Sequence, residues 1–270
     1  MNHNPLVSVI VTTYNRKELL KETIDSITNQ TFEHFELIIV DNFSDYDFFK
    51  HVKSFKDNRI RPYQNSNDGI IAINRNYGIK KAKGEYIAFC DDDDLWYPDK
   101  IQKQVLRLKN SNNKFTFSMQ KEFGNTSIFS NRFGINPIPF RVKTSTEALI
   151  NNNCIPLSSV LLERSIINEV GFFNEEENFL AVEDNELWIR ISKLYQIDFL
   201  PEVLVLHRNH NNNLFDLSKN IIDKRKAIIS KHANDKIQLN QFSISRNPIK
   251  LLLRNLFIYL YEFLLNRFKY

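Results

Sequence analysis

Cysteine is nearly missing from this 270-residue chain, with Cys90 and Cys154 the only two. Their scarcity excludes a disulfide framework and a CxxC-type metal site, and it fits a reducing cytoplasm. Long apolar runs are missing as well: no uncharged stretch reaches the roughly 18–20 residues that would span a bilayer. The opening residues carry no basic, apolar and cleavage regions of a secretory signal, so the expected location is cytoplasmic. Only six glycines are present. None falls in Thr13-Tyr14-Asn15-Arg16, after the first strand-like run, which excludes a glycine-rich phosphate loop there. No internal repeat is visible.

What is present is the mixture of a folded protein, 42% hydrophobic and 25% charged, long enough to build a core that supports a rigid, concave site. The net charge of +4 is unevenly placed. Residues 219–270 carry 11 Lys and Arg against 3 Asp and Glu, which leaves 25 against 29 for the rest of the chain. An acidic body with a basic, apolar tail is not the pattern of a nucleic-acid binder. It directs the tail, and only the tail, at an anionic surface.

The first hundred residues alternate between two periodicities. Val7–Thr12, Glu36–Val40 and Tyr86–Cys90 are short runs, apolar on both faces, as in the middle of a largely parallel sheet. Helix patterns lie between and after them. Asn15 is a plausible N-cap with Glu18 three residues on, followed by Leu19, Leu20, Ile24 and Ile27. A second pattern runs from about Ile70 to Ala82, and a third opens at Pro98 with Ile101, Val105 and Leu108 on one face. This alternation predicts an α/β sheet with helices on both sides. Lys114–Phe123 and Ser127–Phe133, separated by Gly124-Asn125, read as a hairpin. A helix is expected from about Asp184 to Leu194, with helices again over residues 219–270.

In an open α/β sheet, ligands bind beyond the carboxyl ends of the strands. There the three runs pass into Thr13-Tyr14-Asn15, Asp41-Asn42 and Asp91-Asp92-Asp93-Asp94. An acidic run is commonly a solvated loop or a helix N-terminal cap, and Pro98 lies just beyond this one. Directly after a buried strand it reads instead as a site, because four adjacent carboxylates repel one another unless a cation is present. Mg²⁺ or Mn²⁺ with oxygen ligands is the natural compensator, and beside a diphosphate it would neutralise the leaving group. An EF-hand does not fit, since its alternating ligands, central glycine and terminal glutamate are missing.

The segments VSVIVTTYNR, FELIIVDNFS, INRNYGIKKAKGEYIAFCDDDDLWYP and VEDNELWIR resemble the motifs of glycosyltransferase family 2, over roughly residues 5–210. The resemblance implies the GT-A fold: a nucleotide-binding, mostly parallel central sheet flanked by helices, here followed by a C-terminal helical tail. It implies two parts, a glycosyltransferase domain at 1–215 and a basic, apolar tail at 216–270. It further implies an inverting enzyme that uses a nucleotide-sugar donor and Mn²⁺ or Mg²⁺. On the matching positions, Thr12, Tyr14, Asp41 and Asn42 line the nucleotide pocket, and Arg75 and Asn76 lie near the donor. Asp93 is the metal position, Asp91 or Asp92 the ribose or sugar contact, and Asp184 the catalytic base. His207-Arg208-Asn209-His210 looks like a degraded late motif, in which His210 would approach the metal.

The residue types suit that chemistry. Inversion needs a base that takes the proton of an acceptor hydroxyl as it attacks the anomeric carbon. Glu183 is an alternative base, and both acids also suit a plain helix N-terminus. Two departures stand out: Asn42 replaces the second aspartate of many relatives, and the late motif lacks its usual aromatic residue. Trp188 reads as core rather than a sugar platform and Trp96 as either, while Cys90 reads as inert. Residues 247–270 carry a narrow polar stripe, as in a helix that lies on a membrane or caps the core. The expected acceptor is a glycan or lipid-linked glycan, with the chain peripheral on the inner face of the cell membrane. The competing readings are a sugar nucleotidyltransferase, which the missing glycine loop disfavours, and a partner that binds nucleotide sugar without turning it over.

Overall fold

Val7–Thr13 is apolar at most positions because both faces of that strand are covered. In a computed structural model that describes residues 6–124, 144–151, 153–209 and 221–232, it forms β1. The other strands are β2 (Phe35–Asp41), β3 (Ile60–Gln64), β4 (Tyr86–Asp91), β5 (Leu95–Trp96), β6 (Phe115–Gly124), β7 (Val160–Glu163) and β8 (Ile197–Asn209). The helices are α1 (Lys17–Thr28), α2 (Phe48–Lys53), α3 (Ile71–Lys81), α4 (Lys100–Lys109), α5 (Thr146–Asn151), α6 (Arg164–Val170), α7 (Glu183–Ser192) and α8 (Ile221–His232).

The strands make one sheet in the order β3-β2-β1-β4-β7-β6-β8-β5. The first four are mutually parallel, β7 is antiparallel to both β4 and β6, β8 runs parallel to β6, and β5 is antiparallel to β8. The sheet is therefore mixed, with its continuous parallel part confined to one half. Side chains alternate along each strand. Val7, Val9 and Val11 enter one buried cluster with Leu20, Ile24, Ile101 and Val105 of α1 and α4. Ile10, Ile38 and Phe89 enter the other with Ala72 and Ile79 of α3 and Leu187 and Trp188 of α7. Helices thus cover both faces of the sheet.

Several expectations are corrected in detail. Asn15 does not cap α1. Its φ is 53°, and its side chain exchanges hydrogen bonds with Asp45 across the neighbouring loop. Arg16 precedes the helix without a side-chain cap. The helix expected at Pro98 begins at Lys100, though Ile101, Val105 and Leu108 do form its buried face. The first strand of the expected hairpin exists as β6, but among the described residues its partners are β7 and β8. The second, Ser127–Phe133, lies outside the described residues, as do residues 247–270. Gly84 ends the turn after α3, where a Cβ would stand 2.6 Å from the backbone nitrogen of Ser8.

Candidate active site

Asp91 is the last residue of β4, and Asp92–Asp94 form the turn into β5. That turn is tied to its surroundings at each step. The amide of Asp91 donates to Ser158 Oγ at 3.0 Å, Thr13 Oγ1 donates to Asp92 Oδ2 at 2.7 Å, and Thr23 Oγ1 donates to the carbonyl of Asp94 at 2.8 Å. Trp96 is buried and gives its indole N–H to the carbonyl of Ser158, so it stiffens the same corner.

The protein supplies counter-charge to the acidic run. Arg16 reaches Asp92 Oδ1 at 3.0 Å and Asp93 Oδ2 at 2.7 Å. Arg75 reaches Asp91 Oδ1 at 3.1 Å and also pairs with Glu183. His207 Nδ1 lies 3.0 Å from Asp94 Oδ1. Burial is the larger influence on two of the acids: it lifts Asp91 to about 6 despite Arg75, and Asp92 to about 7 despite Arg16. For His207, burial pulls down, but the hydrogen bond and charge of Asp94, with Asp91 and Asp93, prevail and raise the ring to about 9. This imidazole is therefore a cation at neutral pH.

Across the cavity stands the start of α7. Glu183 is buried with one carboxylate oxygen unpartnered. Asp184 accepts from Asn153 Nδ2 at 3.2 Å and from the amide of Asn185 at 2.6 Å. Burial, then the like charge of Glu183, lifts the Asp184 carboxyl to about 7. Because Arg75 holds Asp91 with one arm and Glu183 with the other, a single guanidinium links the acidic turn to this helix.

These groups enclose a cavity of about 320 Å³, lined by Thr12, Arg75, all four aspartates, Asp184 and His207 among others. Thus Thr12, Arg75, Asp91, Asp92, Asp93 and Asp184 come together. Tyr14, Asp41 and Asn42 sit at the same sheet edge but do not line it. Tyr14 is exposed. The Asp41 carboxylate is buried and accepts from the amide and hydroxyl of Ser44 and from Gln64. Asn42 accepts from the amide of Asn67. Asn76 faces away: it is pinned to both backbone groups of Phe173 and to Glu175. His210 lies outside the described residues. Arg16 and His207 also line the cavity, and neither is assigned a role by the family motifs. The signal for His207 is the late motif His207-Arg208-Asn209-His210, in which the other histidine, His210, is the one expected near the metal. Trp188 is fully buried and is core. Cys90 is buried and its thiol is pushed well up, first by burial and then by Asp94, which makes it unreactive.

The donor chemistry fits a hard divalent cation. Such an ion binds through one or two carboxylates and completes its shell with phosphate and water, and carboxylate oxygens are what the turn offers. Among the described residues, no group of three or more His, Cys, Asp or Glu side chains is arranged to hold a metal alone.

A parallel half-sheet with an acidic turn at its carboxyl edge is the frame of a GT-A-like glycosyltransferase. Residues 8–171 match Glycosyl transferase family 2, and the chain belongs to that family. A glycosyltransferase of Rickettsia felis is 32% identical over 77% of this chain, which spans 35% of that protein's length. UDP-Glc:alpha-D-GlcNAc-diphosphoundecaprenol beta-1,3-glucosyltransferase WfaP of Escherichia coli is 32% identical over 69% of this chain and 70% of its own. Among solved structures, S. aureus TarS 1-349 in complex with UDP-GlcNAc superposes with a TM-score of 0.69 at 17% identity, over 86% of this chain and 68% of that one. Mannosyltransferase PcManGT from Pyrobaculum calidifontis, in complex with GDP-Man and Mn2+, gives 0.59 at 16%, over 93% and 79%. At these identities the two structures bear on the fold, which is the one expected.

Proposed function

We propose that the chain is an inverting glycosyltransferase that moves a sugar from a nucleotide-diphosphate sugar to a hydroxyl of a glycan or lipid-linked glycan, in surface polysaccharide biosynthesis. The observation that carries this reading is the shared cavity of Asp184 and the acidic turn. The donor would lie along the carboxyl edge of β1, β2 and β4, with Thr12, Tyr14, Asp41 and Asn42 towards its nucleotide. Asp91 or Asp92 meets the ribose or sugar, and Arg75 holds the donor side of the cavity in place. Asp93 is the residue that would hold Mn²⁺ or Mg²⁺, with His210 a second candidate. The cation, when bound, supplies positive charge to the leaving diphosphate.

Asp184 does the proton work. A carboxyl raised to about 7 is a stronger base than an ordinary aspartate, and efficiency is greatest when the base titrates near the working pH. It takes the hydroxyl proton as the acceptor attacks the anomeric carbon from the side opposite the diphosphate. The named Escherichia coli relative acts on a lipid-linked acceptor, which supports that acceptor class. No helix among the described residues is long and apolar enough to cross a membrane. The basic residues after 219 support a chain that touches the cell membrane from its inner, cytoplasmic face. The catalytic part is assigned to 1–215 and the tail to 216–270.

Asp184→Asn should lower kcat about 10²–10⁴-fold, the usual share of a general base, while donor binding stays within about twofold. Nucleoside diphosphate release across UDP- and GDP-sugars measures the first, and donor-induced thermal shift the second. Wild-type turnover in this variant would remove Asp184 from the role. Chelation of divalent cations should shrink both turnover and the donor-induced shift. Equal values with and without chelator would remove the metal.

A further inference from the structure

The segment that carries Ala181 to Asp184 into the cavity follows a short turn in which the Val182 amide donates to the Phe179 carbonyl at 2.9 Å. Val182, at the N-cap position of α7, makes no side-chain capping bond, so the helix start lacks a usual stabiliser. Ala181 lines the cavity with φ 67°, a left-handed conformation that is strained for a non-glycine residue. Such backbone persists only where its surroundings fix it.

The surroundings that fix it come from two sides. On the sheet side, Arg75 grips Glu183. On the other side lies α8, which is far along the chain. Lys224 Nζ donates to the carbonyl of Leu180 at 2.6 Å, the residue just before Ala181. Lys231 Nζ lies 4.7 Å from the Phe179 ring centroid, and Ile228 is buried in the same cluster as Phe179, Leu187 and Trp188. A second anchor follows Asp184. The buried carboxylate of Glu186 meets Arg190 of its own helix at 2.8 Å, and Lys231 and His232 of α8 at 3.3 and 3.6 Å. Burial pushes that carboxyl up, but His232, Arg190 and Lys231 outweigh it and hold it at about 2. The pairs of Glu186 with Arg190 and Lys231 are therefore intact across the neutral range.

We propose that α8 is a positioning element for the site: Lys224, through the Leu180 carbonyl, holds Ala181–Asp184 in the strained conformation that turns Asp184 to the cavity. The proposal rests on the reading of Asp184 as the base. Lys224 touches no reacting atom, and its effect passes through the backbone.

Hydrogen–deuterium exchange on the full chain tests this without substrate, comparing wild type, Lys224→Met and Lys224→Arg. Lys224→Met should speed amide exchange over residues 180–186 about tenfold and leave β1, β2 and β4 unchanged, as for a local opening. Lys224→Arg, which keeps a donor, should restore protection. In the transfer assay used for Asp184→Asn, Lys224→Met should lower kcat about tenfold and leave donor KM within about twofold, the mark of a misplaced group. Unchanged exchange over 180–186, wild-type kcat, or exchange that rises equally across the sheet overturns the proposal. If instead Asp184→Asn turns over like wild type, the base assignment falls, and the exchange comparison still decides whether α8 holds the segment.

Discussion

Asp184 is buried and has a like charge at the next residue, and both raise its carboxyl, to about 7. The sign of the pH dependence follows. A base must be deprotonated to act, so kcat/KM should fall as pH drops through about 7, rather than near 4 as for an ordinary aspartate. Glu183→Gln removes the neighbouring charge and frees Arg75 to act on Asp184, so the acid limb should move to lower pH. A wild-type limb near 4, or one that Glu183→Gln leaves in place, would refute the assignment. At this scale the sequence was informative where chemistry is local. Four carboxylates after a buried strand are visible in any reading, and Asp184 sits in a segment resembling the family motif. Arg16 was not visible as a site residue, because its partners Asp92 and Asp93 lie 76 and 77 positions away. Nor was the inward turn of Asn76, whose partner Phe173 lies 97 residues on. Such roles are made by folding, not by spacing.

Helix α4 shows the same at the scale of an element. Its apolar stripe Ile101, Val105 and Leu108 was legible from period alone, yet the stripe also buries Lys100 completely. The Lys100 ammonium lies 2.7 Å from Gln104 Oε1 and 3.9 Å from the centroid of Trp96. Burial pulls it down to about 7. Below that pH both folded and unfolded chains carry the charge, and the folded state bears the full desolvation penalty. As pH rises towards the unfolded value near 10.4, the folded state sheds its proton first and the penalty fades. Lys100→Met removes this titration. Its melting temperature relative to wild type should therefore be highest at pH 7 or below, and should decline as pH rises to 10. A difference independent of pH would show that Lys100 titrates normally. No hydrophobic pattern announces a buried lysine, since its position reads as the polar start of the helix.

For the whole molecule, the division between legible and illegible follows the sheet. The parallel half β3-β2-β1-β4 is built from neighbouring strand–helix units, so periodicity exposed most of it. The other half joins β6 to β8 across some eighty residues and inserts β7 between β4 and β6, and no local pattern encodes such pairing. Charge is the whole-molecule property that sequence does report. Residues 233–270 hold six Lys and Arg against two Asp and Glu, after a body in which acids and bases balance. A membrane with anionic lipid attracts each basic residue near its surface by about 1 kcal/mol, and salt weakens that attraction over about 10 Å. The full chain should therefore sediment with phosphatidylserine-containing vesicles at low salt, and less so at 0.5 M salt, taken as roughly half the Debye length of physiological buffer. Joint Arg246→Glu, Lys250→Glu and Arg254→Glu substitution reverses the sign of the stretch and leaves the cavity residues untouched. It should abolish sedimentation without changing the donor-induced thermal shift. Vesicle binding that survives both high salt and charge reversal would mean that the basic residues do not drive it.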